Sequence, residues 1–143
     1  MNDEGVKLGA ALTAFRRANG LCEGEREARL WWVRFGPWAW PLPNFSWRRR
    51  AIDAHDIHHL LTGYPCTAAG EVEIAAWELG AGRFRHWGAT LACSPLILAG
   101  AAAMPKRTLA AFRRGRGCRS LYDTQSLLGL LDMPLAAARA RVG

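Results

Sequence analysis

Three histidines and an aspartate lie within five positions, as His55-Asp56-Ile57-His58-His59. Residues four apart share one face of a helix, so His55 and His59 can reach the same ion, with Asp56 on the flank. His58 points elsewhere. Imidazole and carboxylate groups are good ligands for zinc and iron, but three ligands from one helix usually need help from another element. The spacing therefore predicts part of a metal site and a further ligand elsewhere.

A turn after this helix supplies that ligand. In an uninterrupted helix, Glu71 would lie about 18 Å along the axis from His59, out of reach. Gly63 is expected to end the helix in the left-handed conformation, and Tyr64-Pro65 to form a turn. The next helix then runs back beside the first. Glu71 would lie in its opening turn, at the level of the histidines.

Other acids near this site and a purely structural role for the histidines are the alternatives to a metal site. Glu78 lies on nearly the same helix face as Glu71 and is the reserve acid, whereas Glu73 lies on a different face and is expected in solvent. An isolated HxxxH pair more often bonds an acid in a core than binds a metal, but the turn and Glu71 favour metal. The HD phosphohydrolases are a poor match, because they need an upstream histidine and none precedes His55.

The motif carries a family resemblance. His55-Asp56-x-x-His59, followed by eleven residues and Glu71, resembles the HDxxH-x11-E signature of the coenzyme Q (ubiquinone) biosynthesis protein four family, known as a metal site. The flanking text HDIHHLLTGY is similar to the HDxxHxLTGY of that family. Arg119 to Leu121 and the final Met133 to Arg139 are similar to its closing pattern. The resemblance covers residues 31–143, and residues 1–30 match weakly.

The resemblance implies one helical ubiquinone-biosynthesis-like domain over residues 1–143. Members of the family are dimeric and membrane-associated, and they bind a polyprenyl tail in an apolar channel beside the metal. They remove the ring carboxyl of a prenylated benzenoid acid, in eukaryotic members with oxidation at that carbon. The alternative is a non-catalytic scaffold that holds the prenyl lipid for other quinone-biosynthesis enzymes.

The resemblance also implies the roles of individual residues. His55, His59 and Glu71 are the expected metal ligands, and Asp56 is either a ligand or the acid that orients a histidine. The same four residues are the expected catalytic residues. The cofactor is a divalent metal, with zinc preferred and iron as the alternative, because zinc cannot carry electrons. Expected partners are a prenylated aromatic or isoprenoid lipid, a membrane surface, other quinone-biosynthesis proteins and a second copy of the chain.

Charge and length limit the other function classes. The chain has 143 residues, a length sufficient for one hydrophobic core but not for two. Its net charge is +7. Basic and acidic residues number six and five over residues 1–45, five and five over 46–88, and eight and two over 89–143. The excess is therefore C-terminal. It suits anionic lipid or an acidic substrate better than nucleic acid, because the aromatic residues are segregated from it.

Cysteine spacing and the chain start indicate the compartment. The cysteines form no CxxC pair, so a zinc ribbon or redox motif has no support. The start, Met-Asn-Asp-Glu-Gly, is acidic where a leader is basic, which predicts a cytoplasmic protein. With the membrane association that the resemblance implies, the expected location is peripheral, on the inner face of the cell membrane. The longest apolar stretch, residues 89–104, contains Ser94 and Pro95 and is too short to span a bilayer.

The pattern of helix formers and breakers predicts an all-α fold, a compact bundle of about six to seven helices with a Pro/Trp-rich loop. Ser46 and Thr67 are expected to cap the third and fourth helices, and Asp132 the last. The region 89–103 is expected to be one kinked helix or a pair. The predicted segments are helices at 8–18, 23–34, 47–62, 68–79, 89–103, 105–114, 121–131 and 134–141, with the loop at 36–44.

Several groups of residues keep two interpretations. One group of tryptophans forms either an interfacial belt at the mouth of a prenyl channel or a hydrophobic loop over the bundle. These are Trp31, Trp32, Trp38, Trp40 and Trp47. The apolar residues 91–103 either line a cavity for the prenyl tail or form core.

Two groups of arginines are also candidates for contacts with ligands. The first either contacts lipid headgroups or is solvated, and consists of Arg113, Arg114, Arg116 and Arg119. The second is a candidate for binding a substrate carboxylate, and consists of Arg48 to Arg50 with Arg83 and Arg85.

Overall fold

The computed structural model describes residues 5–21, 24, 27–35, 38–82, 87–122 and 127–143, without the side chains of 33–35, 38 and 87–93. Within these ranges the fold is mostly helical with one small sheet, which confirms the all-α prediction. The elements are α1 (Leu8–Ala18), β1 (Leu30–Phe35), β2 (Trp38–Pro43), α2 (Ser46–Thr62), α3 (Ala68–Gly80), α4 (Trp87–Ala103), α5 (Pro105–Gly115), a 3-10 helix (Leu128–Leu130) and α6 (Leu135–Val142).

The chain reversal between α2 and α3 forms as predicted. Gly63 has a left-handed backbone with φ 79°, and its N–H donates to the carbonyl of His59. Thr67 caps α3 through its side-chain oxygen, which accepts from the N–H of Gly70 at 3.2 Å. A β-carbon on Gly70 would overlap the carbonyl oxygen of Pro65. The turn is therefore tight, and α3 starts directly beside the end of α2.

Other cap predictions were wrong. Ser46 is the first residue of α2, and Phe45 precedes it with no side-chain capping bond. The residue before α6 is Pro134, again without such a bond. Asp132 instead forms an ion pair with Lys7, at 3.0 Å between carboxylate and ammonium.

The region of residues 30–43 was predicted wrongly. In place of the end of a helix and an irregular loop, β1 and β2 form an antiparallel hairpin, with Trp31 opposite Leu42 and Val33 opposite Trp40. Tryptophan, valine and phenylalanine favour strands once a partner strand is present. Prolines are tolerated because both strands of a two-stranded sheet are edges. Gly36 and Pro37, at the connection, lie outside the described residues.

The structure decides between two alternatives for one C-terminal segment and corrects the prediction for another. Region 89–103 is a single helix, α4, that contains Pro95, and not a pair of helices. It is not a simple core helix, since the side chain of Leu98 is 70% exposed. The described part of 121–131 contains only the short 3-10 helix. The backbone N–H of Leu121, where that helix was expected to begin, donates to a histidine side chain of α2.

The core lies among α1, α2, α3, α5 and α6. Its largest side chains include Trp77, Leu8, Ile57 and Ile74. Helices α3 and α5 approach closely at Gly80 and Gly115, where a β-carbon on either glycine would overlap a backbone carbonyl of the other helix. In the described part of the chain, none of the helices combines the length and the hydropathy needed to cross a bilayer.

Candidate metal centre

Three predicted ligands meet between α2 and α3. His55 Nε2 lies 3.1 Å from Glu71 Oε2 and 3.2 Å from His59 Nε2. His59 Nε2 lies 3.3 Å from Glu71 Oε1. One ligand atom from each residue falls within 4.8 Å of the others, so the group could hold a metal ion. The helix spacing of the histidines and the tight turn before Glu71 together produce this convergence.

The protonation of His59 is fixed by the main chain. Its Nδ1 lies 2.8 Å from the carbonyl oxygen of Tyr64, which can only accept, so Nδ1 carries the proton. In the neutral ring, Nε2 then keeps a lone pair that points into the group. The ring is almost fully buried, at 2% exposure, and stacks on Phe15 with centroids 6.3 Å apart. The orientation of His59 is therefore fixed, with Nε2 toward Glu71.

His55 is held at both ring nitrogens. Nδ1 bonds Glu78 Oε1 at 3.0 Å, and Nε2 faces Glu71 and His59. If Nδ1 alone carries a proton, the Nε2 lone pairs of both histidines face each other beside a carboxylate. That arrangement is repulsive unless a cation, either a proton or a metal ion, is shared among them. The donor set thus fits a metal ion.

Ionisation in this group is strongly perturbed. Burial disfavours the charged ring of His55, but hydrogen bonds to Glu71 and Glu78 outweigh it and raise its pKa to about 10. Burial also opposes ionisation of both glutamates, yet their histidine partners lower the pKa of each to about 2. Without a metal, His55 is therefore an imidazolium at neutral pH. Metal binding at Nε2 must displace that proton.

The reserve acid, Glu78, lies beside the group but not in it. It is completely buried, and its Oε1 accepts hydrogen bonds from His55 Nδ1, His58 Nδ1 at 2.8 Å and the Tyr122 hydroxyl at 2.9 Å. His58 Nε2 accepts from the N–H of Leu121 at 2.9 Å. His58 therefore faces Glu78 and not Glu71. The sequence carried no signal for Tyr122, which was expected in a helix.

Asp56 is not brought into the metal group. Its carboxylate accepts from Arg16 Nε at 2.7 Å, and Asp53 accepts from Arg16 Nη2 at 2.7 Å. Burial raises the pKa of Asp56 above its ordinary value, although Arg16 opposes that rise. The Arg16 bridge ties α1 to α2 behind the metal ligands. Arg16 was missed because nothing in its local sequence points to a partner 40 residues away.

Other predicted residues lie outside the group. Glu73 is not simply solvated, because both its oxygens accept from the exposed side chain of Arg107. Arg48 and Arg49 donate to Asn44, and the guanidinium of Arg48 lies 4.1 Å above the ring of Trp31. They therefore support the start of α2. Arg83 and Arg85 lie outside the described residues.

Cys66 sits near the group without joining it. Burial raises the pKa of its thiol, and the negative charges of Glu71 and Asp56 raise it further. A protonated thiol is a poor ligand. Elsewhere, Arg114 donates to the carbonyl of Thr62 at 3.0 Å and lies over the ring of Tyr64. One of the predicted headgroup arginines thus contacts the turn after α2, although it is exposed.

A separate cavity of about 350 Å³ lies at the far end of α2, lined by Leu61, Trp77, Arg114 and Arg139 among others. None of the three metal-group residues lines it. In comparisons with known proteins, no family model, no curated protein and no solved structure matches this chain.

Proposed function

We propose that this chain is a metal-dependent enzyme of the ubiquinone-biosynthesis type that removes the carboxyl group of a prenylated benzenoid acid at a membrane surface. The observation that supports the proposal is the convergence of His55, His59 and Glu71 from two helices. These are three of the four fixed residues of the HDxxH-x11-E motif, whose family acts on such substrates; the fourth, Asp56, bonds Arg16 instead. The resemblance extends the proposal to a homodimer that works with other quinone-biosynthesis proteins.

The ligand set suits a catalytic ion with open positions. Two imidazoles and one carboxylate are a known catalytic zinc set and also a known non-haem iron set, and zinc is our first choice. A divalent ion held here would supply a Lewis acid for a substrate carboxylate or phenolate. Since His59 is buried while the side chains of His55 and Glu71 are 27% and 36% exposed, substrate would approach past the latter two.

Metal analysis of the purified protein tests the site. We expect about one bound ion per chain in the wild type and a large loss in His55→Ala and in Glu71→Ala, since each removes a ligand. Glu73→Gln is the matched control, because Glu73 lies on the same helix as Glu71 but bonds Arg107. Elemental mass spectrometry identifies the metal. Undiminished metal in both ligand variants would refute the site.

Quinone intermediates test the reaction. In a strain that lacks the protein, we expect a carboxylated prenyl precursor to accumulate, and the wild-type chain to remove it. Folded Glu71→Ala should not do so, because a metal ligand is missing. Full rescue by Glu71→Ala would instead indicate a non-catalytic carrier of the prenyl lipid.

The hairpin supports the membrane surface in this proposal. Trp32 and Trp40 are 59% and 54% exposed. Residues 29–52 include five arginines and no acidic residue. Exposed indole rings favour the boundary between water and hydrocarbon, and arginines favour anionic headgroups. The hairpin, together with the residues before it and the start of α2, therefore combines the two features of a peripheral contact.

A further inference from the structure

Glu78 has an arrangement that the proposed metal centre does not by itself require. Three donors from two parts of the chain converge on its Oε1: His55 Nδ1, His58 Nδ1 and the Tyr122 hydroxyl. The side chain is completely buried. Burying a carboxylate is costly unless it is hydrogen-bonded or paired with charge. A leucine or methionine would fill the same space without that cost, so a role for the charge is indicated.

The charges around the group indicate what that role is. Asp56 and Asp53 both bond Arg16, and Glu71 and Glu78 are the two carboxylates that contact His55. Together the charges of Glu71 and Glu78 balance that of one divalent cation. Only Glu71 faces the atoms that could ligate an ion, and Glu78 contacts the opposite side of the His55 ring. Glu78 thus contributes its charge through the imidazole.

We propose, on the basis of the proposed metal site, that Glu78 is a positioning residue: it keeps the proton of His55 on Nδ1 and directs Nε2 toward the metal. His58 and Tyr122 fix Glu78 in turn. His58 is itself held, because its Nε2 accepts from the backbone N–H of Leu121. A carboxylate that accepts from the outer nitrogen of a ligand histidine also makes the inner nitrogen a stronger donor.

The second oxygen of Glu78 makes a clean test possible. Within the described part of the chain, Oε2 is buried with no hydrogen-bond partner. In Glu78→Gln the amide oxygen can still accept at the Oε1 position, while the amide nitrogen takes the place of Oε2. The substitution therefore preserves shape and removes charge. Glu73→Gln makes the same change on the same helix, away from His55.

The experiment is a zinc titration of the metal-free protein against a competing chelator. We expect Glu78→Gln to bind zinc about 10- to 100-fold more weakly than the wild type, as found when such outer carboxylates are changed. Glu73→Gln should retain wild-type affinity. Circular dichroism establishes that both variants are folded. Wild-type zinc affinity in folded Glu78→Gln would overturn the proposed role of Glu78 but would leave the metal site itself standing.

A second measurement needs no variant. In zinc-loaded wild-type protein, long-range proton–nitrogen correlation spectra should show His55 protonated at Nδ1 and zinc-bound at Nε2. The reverse assignment would overturn the inference even if Glu78→Gln did not fold. Absence of zinc binding by the wild type, or full binding by His55→Ala, would refute the metal site itself and this inference with it.

Discussion

His55 is held between two carboxylates, and this makes the metal-free protein sensitive to pH on both sides of neutrality. The pKa of His55 rises from 6.5 to about 10 on folding, so its stabilising effect is complete below 6.5 and is lost as pH rises through 10. The pKa values of Glu71 and Glu78 fall from 4.5 to about 2, so their effect is complete above 4.5 and is lost toward 2.

We therefore expect the metal-free protein to be most stable between about pH 4.5 and 6.5, the ordinary values of these groups. Thermal unfolding followed by circular dichroism in the presence of a chelator measures this directly. The decline of the melting temperature above pH 6.5 should be smaller in His55→Gln, because glutamine cannot gain the proton. A melting temperature that rises from pH 6.5 to 10 in the wild type would contradict the assignment of charge to His55.

Arg16 is the second residue whose removal should have a large effect. It bonds Asp53 and Asp56, and its own side chain and that of Asp56 are only 12% and 10% exposed. Arg16→Met would leave a largely buried carboxylate without its cation, at a cost of about 2–4 kcal/mol in the free energy of unfolding.

Urea denaturation measures this loss. Arg107→Met is the matched control. Two nitrogens of Arg107 donate to the carboxylate of Glu73, but the side chain of Arg107 is mostly exposed. We expect the control to change stability much less, since solvent screens an exposed pair. Equal losses in the two variants would contradict the argument that burial makes the Arg16 pair more costly to break than the exposed Arg107 pair.

Among the elements, the tight turn from α2 to α3 controls where Glu71 lies. Gly70 immediately precedes Glu71, and a β-carbon there would overlap the Pro65 carbonyl. Gly70→Ala should push the start of α3 away from α2, destabilise the fold by about 1–3 kcal/mol and weaken zinc binding. Gly5→Ala is the control, because its β-carbon would meet nothing within 4 Å. Unchanged zinc affinity in Gly70→Ala would contradict the claim that the turn controls the position of Glu71 in the metal site.

The sequence predicted the parts of the site that depend on local rules. The faces of α2, the left-handed Gly63, the Thr67 cap and the position of Glu71 all follow from spacing and capping over less than 20 residues. Contacts between distant segments could not be predicted in this way. The bridge of Arg16 to Asp56 and the bond of Leu121 to His58 join residues 40 and 63 positions apart.

The hairpin shows a different limit of sequence reasoning. Strands are stabilised by cross-strand pairs, so the preference of Trp31 or Val33 for extended backbone is expressed only when Leu42 and Trp40 lie opposite. The pairing of the two strands was not predicted, because the apolar residues before residue 34 have helix-like spacing and three prolines follow residue 36. The all-α fold class still holds, because this is the one sheet in the described part of the chain.

For the whole molecule, the proposed membrane contact can be tested at the exposed hairpin. We expect the wild type to float with vesicles that contain phosphatidylglycerol and to float poorly with phosphatidylcholine alone, because residues 29–52 carry five arginines and no acidic residue. Replacing Trp32 and Trp40 together by serine should abolish flotation. Leu128→Ser is the control, since Leu128 is 77% exposed but lies elsewhere.

Two results would contradict this surface. Flotation of the double tryptophan variant at the wild-type level would exclude the hairpin as the contact. Equal loss in Leu128→Ser would indicate a general effect of exposed apolar side chains. Tryptophan emission that shifts to shorter wavelength with anionic vesicles, and only in proteins that keep Trp32 and Trp40, would support the same surface by an independent signal.

The bond from His59 Nδ1 to the Tyr64 carbonyl has a consequence for divergence among homologues. A main-chain acceptor does not depend on the side chain that its residue carries. Substitutions at position 64 can therefore accumulate under selection for packing against Arg114 while the tautomer of His59 is inherited unchanged. His55, whose outer partner is a side chain, has no such protection, so substitution at position 78 should be constrained wherever His55 is retained.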